Sequence, residues 1–130
     1  MNTEITVLGW SVILLAVTII AQSVSTTSEL GASYGASARD DALQASNPYA
    51  GRCRRALNNY LETYTAFVAL ALALTVTGKA GGLGALGAQI WFWARVVYLP
   101  LYVYGVPWLR SVAWFVSIAG LVTMLARLLA

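Results

Sequence analysis

Residues 5–28, opening "ITVLGWSVILLAVTIIA", run for 24 positions without a formal charge between Glu4 and Glu29. A helix through this stretch would be about 36 Å long at 1.5 Å per residue, enough to cross a bilayer hydrocarbon core of about 30 Å. A secretory signal peptide is the rival reading, but that normally has a basic leading region and a shorter apolar core. Here the N-terminus offers only its amine and Glu4, so the run reads as a transmembrane helix. The rest of the chain repeats the pattern in shorter lengths, 63–78, 80–94, 96–109 and 111–126, each bounded by an isolated Lys79, Arg95, Arg110 or Arg127. A soluble domain carries about 25% charged residues; this chain has 10% against 59% hydrophobic, too few to coat a surface facing water.

Glycine and proline mark the breaks. "TGKAGG" (77–82) reads as a turn, and "YGVP" (104–107) as a tight one in which Pro107 suits the first position of a helix. Four helices result, at about 4–23, 48–77, 84–104 and 107–129. The expectation is an all-α integral membrane protein, a four-transmembrane-helix up-and-down bundle forming a single domain over 1–130. The connections between the first two and last two helices share one side. The first of these holds Arg39, Arg52, Arg54 and Arg55 within it or just after it; the opposite side has Lys79 and Arg127. The positive-inside rule then puts the former side in the cytoplasm and both termini outside. The first connection, "SVSTTSELGASYGASARDDALQASN" (23–47), is long, small and polar. Connections of this length are usually disordered or functional lids, and both readings stay open.

Several chemistries are excluded. The single Cys53 rules out an internal disulfide and, with no histidine, a Cys/His metal cluster or a Ser/His/Asp triad. Inside the apolar region Glu62 stands alone, so no pair of carboxylates can share acid and base roles. The net charge of +3 is not gathered into a basic tail, which argues against nucleic acid. The glycines of "GKAGGLGALGA" lack phosphate-loop spacing and suit close helix packing instead. Cys53 reads as a small interfacial residue, and Trp93, Trp108 and Trp114 as packing or belt residues.

Polar residues within the apolar segments are more informative. At 3.6 residues per turn, Arg52, Arg55, Asn59 and Glu62 fall within an arc of roughly 80° on the second predicted helix, while Arg54 points elsewhere, toward the headgroups. Trp91, Arg95, Tyr98 and Tyr102 share a face of the third helix, with Pro100 between the tyrosines removing one backbone hydrogen bond. Arg110 and Ser111 occupy the first turn of the fourth, where free N–H groups and the helix dipole favour an anion. A charge at the middle of a transmembrane helix costs about 2.5–3.5 kcal/mol on insertion scales, so such residues face a bundle interior or a wet cavity. One stripe alone could simply neutralise neighbouring helices. Two stripes plus Arg110 leave positive charge that a single Glu62 cannot balance. A small anionic ligand with a free amine fits best, with the amine on Glu62.

At these residues the sequence resembles the MAPEG family, the membrane-associated proteins in eicosanoid and glutathione metabolism. "RCRRALNNYLET" (52–63) is similar to the family pattern of arginine-alanine, then asparagine, then glutamate. "ARVVYLPLYVYGVPWLRSVAW" (94–114) resembles its last helical hairpin, and "YGASARDDA" (34–42) the loop of the shorter bacterial members. The resemblance implies a homotrimer in a bacterial inner membrane, with glutathione as co-substrate bound between subunits on the cytoplasmic side. Carried over by motif, Arg55, Asn59 and Glu62 would contact glutathione, flanked by Arg52, together with Arg95, Tyr98 and Tyr102. Arg110 matches the arginine regarded as activating the thiol, and Ser111 the serine that follows it in one branch. The implied activity is that of a glutathione transferase or peroxidase acting on an apolar electrophile or lipid hydroperoxide. The alternative is a non-catalytic protein on the same scaffold that binds an anionic lipid or metabolite.

Overall fold

The computed structural model describes all 130 residues. Its elements are α1 (Thr3–Leu30), α2 (Ala32–Ala36), α3 (Pro48–Val76), α4 (Leu83–Val103) and α5 (Pro107–Leu129). The first helix does not stop near residue 23, as expected from its apolar run, but continues to Leu30. The polar residues there bond back onto their own helix. Ser25 Oγ donates to the Gln22 carbonyl at 3.0 Å, Ser28 Oγ to the Ser25 carbonyl at 3.0 Å, and the Gln22 amide to Thr26 Oγ1 at 3.2 Å. The short helix α2 then occupies part of the connection that composition alone marks as loop.

Helix ends are satisfied by chemistry local to the turn and by charges from other helices. α3 and α4 both finish in a Schellman turn. Gly78 (φ 72°) and Gly105 (φ 74°) take the left-handed position, while Lys79 N–H returns to the Leu74 carbonyl and Val106 N–H to the Leu101 carbonyl, both at 2.9 Å. Asn47 caps α3 by accepting from Ala50 N–H at 2.8 Å, with Pro48 at the first helical position. Glu4, fully buried on α1, accepts the Gly81 N–H at 2.7 Å, beside the start of α4. Arg52 donates to the Val103 carbonyl at the other end of α4 (3.2 Å), and Lys79 Nζ to the Leu128 carbonyl at the end of α5 (2.7 Å). Each charge meets the helix-dipole end of opposite sign. These contacts also fix the up-and-down order, with Asn2 bonded to Thr75 at one end and Asn47 to the Ser25 carbonyl at the other.

α4 and α5 make the closest pairing. A Cβ added at Gly87 would lie 2.6 Å from the Gly120 carbonyl oxygen, and one at Gly120 would lie 2.7 Å from that of Gly87. Small residues at this crossing bring the backbones together, the packing mode that holds helices where lipid removes the hydrophobic driving force. α1 and α3 complete the core around Phe67 and Trp91, whose rings stack at 4.0 Å, with Leu14, Leu74 and Met124.

Only 25 of the 130 residues are buried. The outward faces are also apolar: Trp10, Ile13 and Ile20 on α1, Leu72 on α3, Trp93 and Val97 on α4, Val112, Phe115 and Val122 on α5. Helices apolar on all sides belong in a membrane. α1, α3 and α5 are each long and apolar enough to cross one. α4, with 21 residues, has the length, but Gln89, Arg95 and Pro100 interrupt its apolar sequence.

Candidate functional site

The first turns of α3 and the last turns of α4 face one another at the end of the bundle where α5 begins. Arg55 Nε donates to the Tyr102 hydroxyl at 3.1 Å. The Arg110 guanidinium lies over the face of the same ring, 4.7 Å from its centroid. Tyr102 therefore sits between two cations, one at its oxygen and one on its π-face. Tyr98 follows one turn away, with ring centroids 5.6 Å apart. An open groove of about 270 Å³ is lined here by Asn59, Tyr98, Tyr102, Arg110, Ser111, Trp114 and Phe115. Its floor is polar, and Trp114 and Phe115 give it an aromatic wall.

Arg95 occupies a different place from its neighbours. It is 1% exposed and does not line the groove. Nη1 donates to Asn59 Oδ1 at 2.7 Å, Nη2 donates to Thr63 Oγ1 at 2.8 Å, and the guanidinium stacks on Tyr98 at 4.9 Å. Nε is buried with no partner. These contacts offset much of the cost of a buried cation, and they orient the Asn59 carboxamide. With its oxygen taken by Arg95, the Asn59 NH₂ is the part of the amide left for the groove.

The remaining predicted site residues spread outward. Arg52 turns to the α4–α5 turn, bonding the Val103 carbonyl; a Cβ at Gly105 would meet its Cζ at 3.0 Å. Ser111 lines the groove while donating to the Pro107 carbonyl at 3.2 Å. Glu62 is exposed and takes part in none of the hydrogen bonds within the chain. Arg54 points away from this group, as its angle on the helix predicts, and Cys53 is buried.

Three residues here were not among those anticipated for the site. Thr63 lies one turn beyond Asn59 on α3 and supplies Arg95 with its second acceptor. The available signal was that a buried arginine needs acceptors, and a threonine at i+4 from the asparagine provides one. Trp114 lines the groove rather than serving only as packing, and its indole Nε1 is buried without a partner. Trp93 and Trp108, by contrast, point outward. Phe115 joins Trp114 in the wall.

A family profile described as "MAPEG family" matches residues 7–130. No curated protein matches the chain, and no solved structure does.

Proposed function

The chain belongs to the MAPEG family, a family of glutathione-related membrane proteins, and is an integral membrane protein; from that premise we propose that its groove binds glutathione and uses it as a transferase or peroxidase. The observation that carries this reading is the pairing of Arg55 and Arg110 around Tyr102, with neither guanidinium hydrogen-bonded to a carboxylate. Uncompensated positive charge inside a membrane calls for an anionic ligand. Glutathione has two carboxylates, one amine and one thiol. Arg55 binds a carboxylate through charge-assisted hydrogen bonds, with Arg52 flanking, and the Asn59 NH₂, held by Arg95, donates to a carbonyl or carboxylate. The Tyr98, Tyr102 and Ser111 hydroxyls complete the polar floor. Glu62, at the outer edge, receives the amine.

Arg110 is the catalytic residue. A free thiol has a pKa of about 8.5, and an adjacent guanidinium lowers it by favouring the thiolate. The thiolate attacks an apolar electrophile, forming a carbon–sulfur bond while the leaving group departs with the bonding electrons. With a lipid hydroperoxide it attacks oxygen and breaks the O–O bond. A second glutathione then completes the reduction, so that two thiols become one disulfide and the hydroperoxide becomes an alcohol and water. The Trp114–Phe115 wall suits a substrate arriving from the bilayer.

The groove is open and Glu62 exposed in the single chain, which supports a homotrimer in which a neighbouring subunit closes the site. The arginine-rich end of the bundle, with the long α1–α3 connection and the short α4–α5 turn, faces the cytoplasm. Calorimetric titration of detergent-purified protein with reduced glutathione, S-methylglutathione and the Arg55→Ala variant tests the reading. Saturable binding that Arg55→Ala loses is expected. A folded protein that binds nothing up to millimolar glutathione would sink it.

The free state of Glu62 favours a second reading, because no contact within the chain holds it where an amine would bind. On that reading the scaffold is non-catalytic and takes an anionic lipid or metabolite. Stabilisation by anions lacking a thiol, without thiol-dependent turnover, would distinguish it.

A further inference from the structure

A second cavity, of about 330 Å³, lies between the last turns of α1, helix α2 and the first turns of α3, and shares no lining residue with the groove. We propose that it is a binding site for a phosphate ester, carried either by the headgroup of an anionic phospholipid or by a small soluble molecule. Its two charged lining residues are Arg39 and Arg54, and no carboxylate lines it. Asp40 and Asp41 are not among its walls, and Glu29 is occupied elsewhere, accepting from Ser46 Oγ at 2.6 Å. Two guanidiniums facing one cavity, with Gln22, Thr26 and Gln44 as further hydrogen-bonding groups, suit a ligand with several acceptor oxygens around one centre.

The cavity is built rather than left over from a loose connection. Tyr34 Oη receives the Leu43 N–H at 2.6 Å and donates to the Leu43 carbonyl at 3.3 Å. Asn47 bonds the Ser25 carbonyl at 3.2 Å, which ties the end of the connection to α1. Arg39 itself sits at φ 58°, a conformation that L side chains rarely adopt, with Nε and Nη2 donating to the Gly35 carbonyl at 3.2 and 2.9 Å. Those bonds hold the guanidinium beside the cavity with Nη1 free. Arg54 is exposed and makes no hydrogen bond within the chain, unlike Arg52 and Arg55, which α4 engages. The site lies where the apolar run of α1 has given way to polar residues, a position that would meet the phosphate layer with α1 crossing a bilayer, which favours a lipid as the source.

The test compares wild type with Arg54→Gln and with the Arg39→Gln/Arg54→Gln pair. Each is purified in mild detergent with equal phosphatidylglycerol and phosphatidylcholine, and retained lipid is counted by native mass spectrometry. A parallel arm measures melting temperature with millimolar glycerol 3-phosphate against sodium chloride of equal ionic strength. Wild type is expected to retain phosphatidylglycerol several-fold over phosphatidylcholine, and Arg54→Gln to abolish most of that enrichment. Because Arg54 holds no internal contact, an unchanged melting temperature without lipid verifies the variant's fold. No lipid enrichment, but a glycerol 3-phosphate shift in wild type that Arg54→Gln removes, would support the site with a soluble source. Wild type showing neither effect, or both variants keeping whichever effect it shows, would overturn the proposal.

Discussion

Tyr102 meets two arginines that touch it differently, and the proposed function assigns them different roles. Arg55 is tied to the phenol oxygen and can share its remaining donors with a ligand carboxylate, whereas Arg110 lies across the ring with its donors free toward the groove. Arg110→Ala is therefore expected to reduce glutathione-dependent turnover by about 10²–10³-fold, the range for removing one preorganised charge-stabilising donor, with glutathione still bound. Arg55→Ala should instead weaken binding on the order of tenfold or more, the loss of a charge-assisted hydrogen bond. Steady-state kinetics beside calorimetry check both; equal turnover in wild type and Arg110→Ala would remove Arg110 from the mechanism. Thr63→Val leaves Arg95 Nη2 without its closest acceptor, at an expected cost of about 1–3 kcal/mol in stability. Thermal unfolding in detergent measures it, and an unchanged midpoint would mean the bond is dispensable. Helical spacing alone was enough to bring Arg55, Asn59, Tyr98, Tyr102 and Arg110 into consideration, because a polar residue in an apolar segment has few faces to choose from. It could not show that Arg95 withdraws from the groove to Asn59 and Thr63, since that depends on how α3 and α4 are rotated against each other.

At the scale of helices, close approach and termination do most of the positioning. Gly87 and Gly120 oppose each other across the α4–α5 crossing, where a methyl group on either would strike backbone atoms. Gly120→Ala is expected to destabilise the protein by about 1–3 kcal/mol through overpacking. Gly9→Ala, on an open face of α1, is the control, since an added Cβ there meets nothing within 4 Å. Thermal denaturation of the two variants side by side should separate them clearly, and equal midpoints would count against the crossing as a stability determinant. The turns were legible in the sequence because Gly78, Gly105 and Pro107 are residues that helix ends require. The full length of α1 was not: its Ser- and Thr-rich end has a loop's composition, yet those hydroxyls bond back to carbonyls of their own helix and the backbone ladder runs on to Leu30. Glu4 was hidden for a related reason. Next to the N-terminus it reads as a flanking charge, yet it reaches across the bundle to the Gly81 N–H.

The whole molecule presents a polar strip on α3 that costs free energy where it meets lipid. Along α3, Arg55, Asn58 and Glu62 are exposed beside Leu61 and the open side of the groove. Leaving charged side chains of this kind against hydrocarbon costs about 2.5–3.5 kcal/mol each near the centre of a bilayer. In the proposed homotrimer that strip would be buried against neighbouring copies, which would remove the cost and close the groove. Native mass spectrometry of the detergent-solubilised protein should then give about three times the 13.9 kDa chain, and a mass of one chain would count against the assembly. The exposed carboxylate gives the assembly argument a chemical readout. If Glu62 faces a neighbouring subunit's groove edge to receive the glutathione amine, Glu62→Gln should weaken glutathione binding by about tenfold, the loss of a charge-assisted contact. It should barely affect a deaminated analogue of the tripeptide, which has no ammonium to receive. Calorimetry with both ligands on the wild-type and Glu62→Gln assemblies makes the comparison. Equal weakening for both ligands with the assembly intact would assign Glu62 to general electrostatics rather than amine recognition, and dissociation of the Glu62→Gln assembly would assign it to the subunit interface.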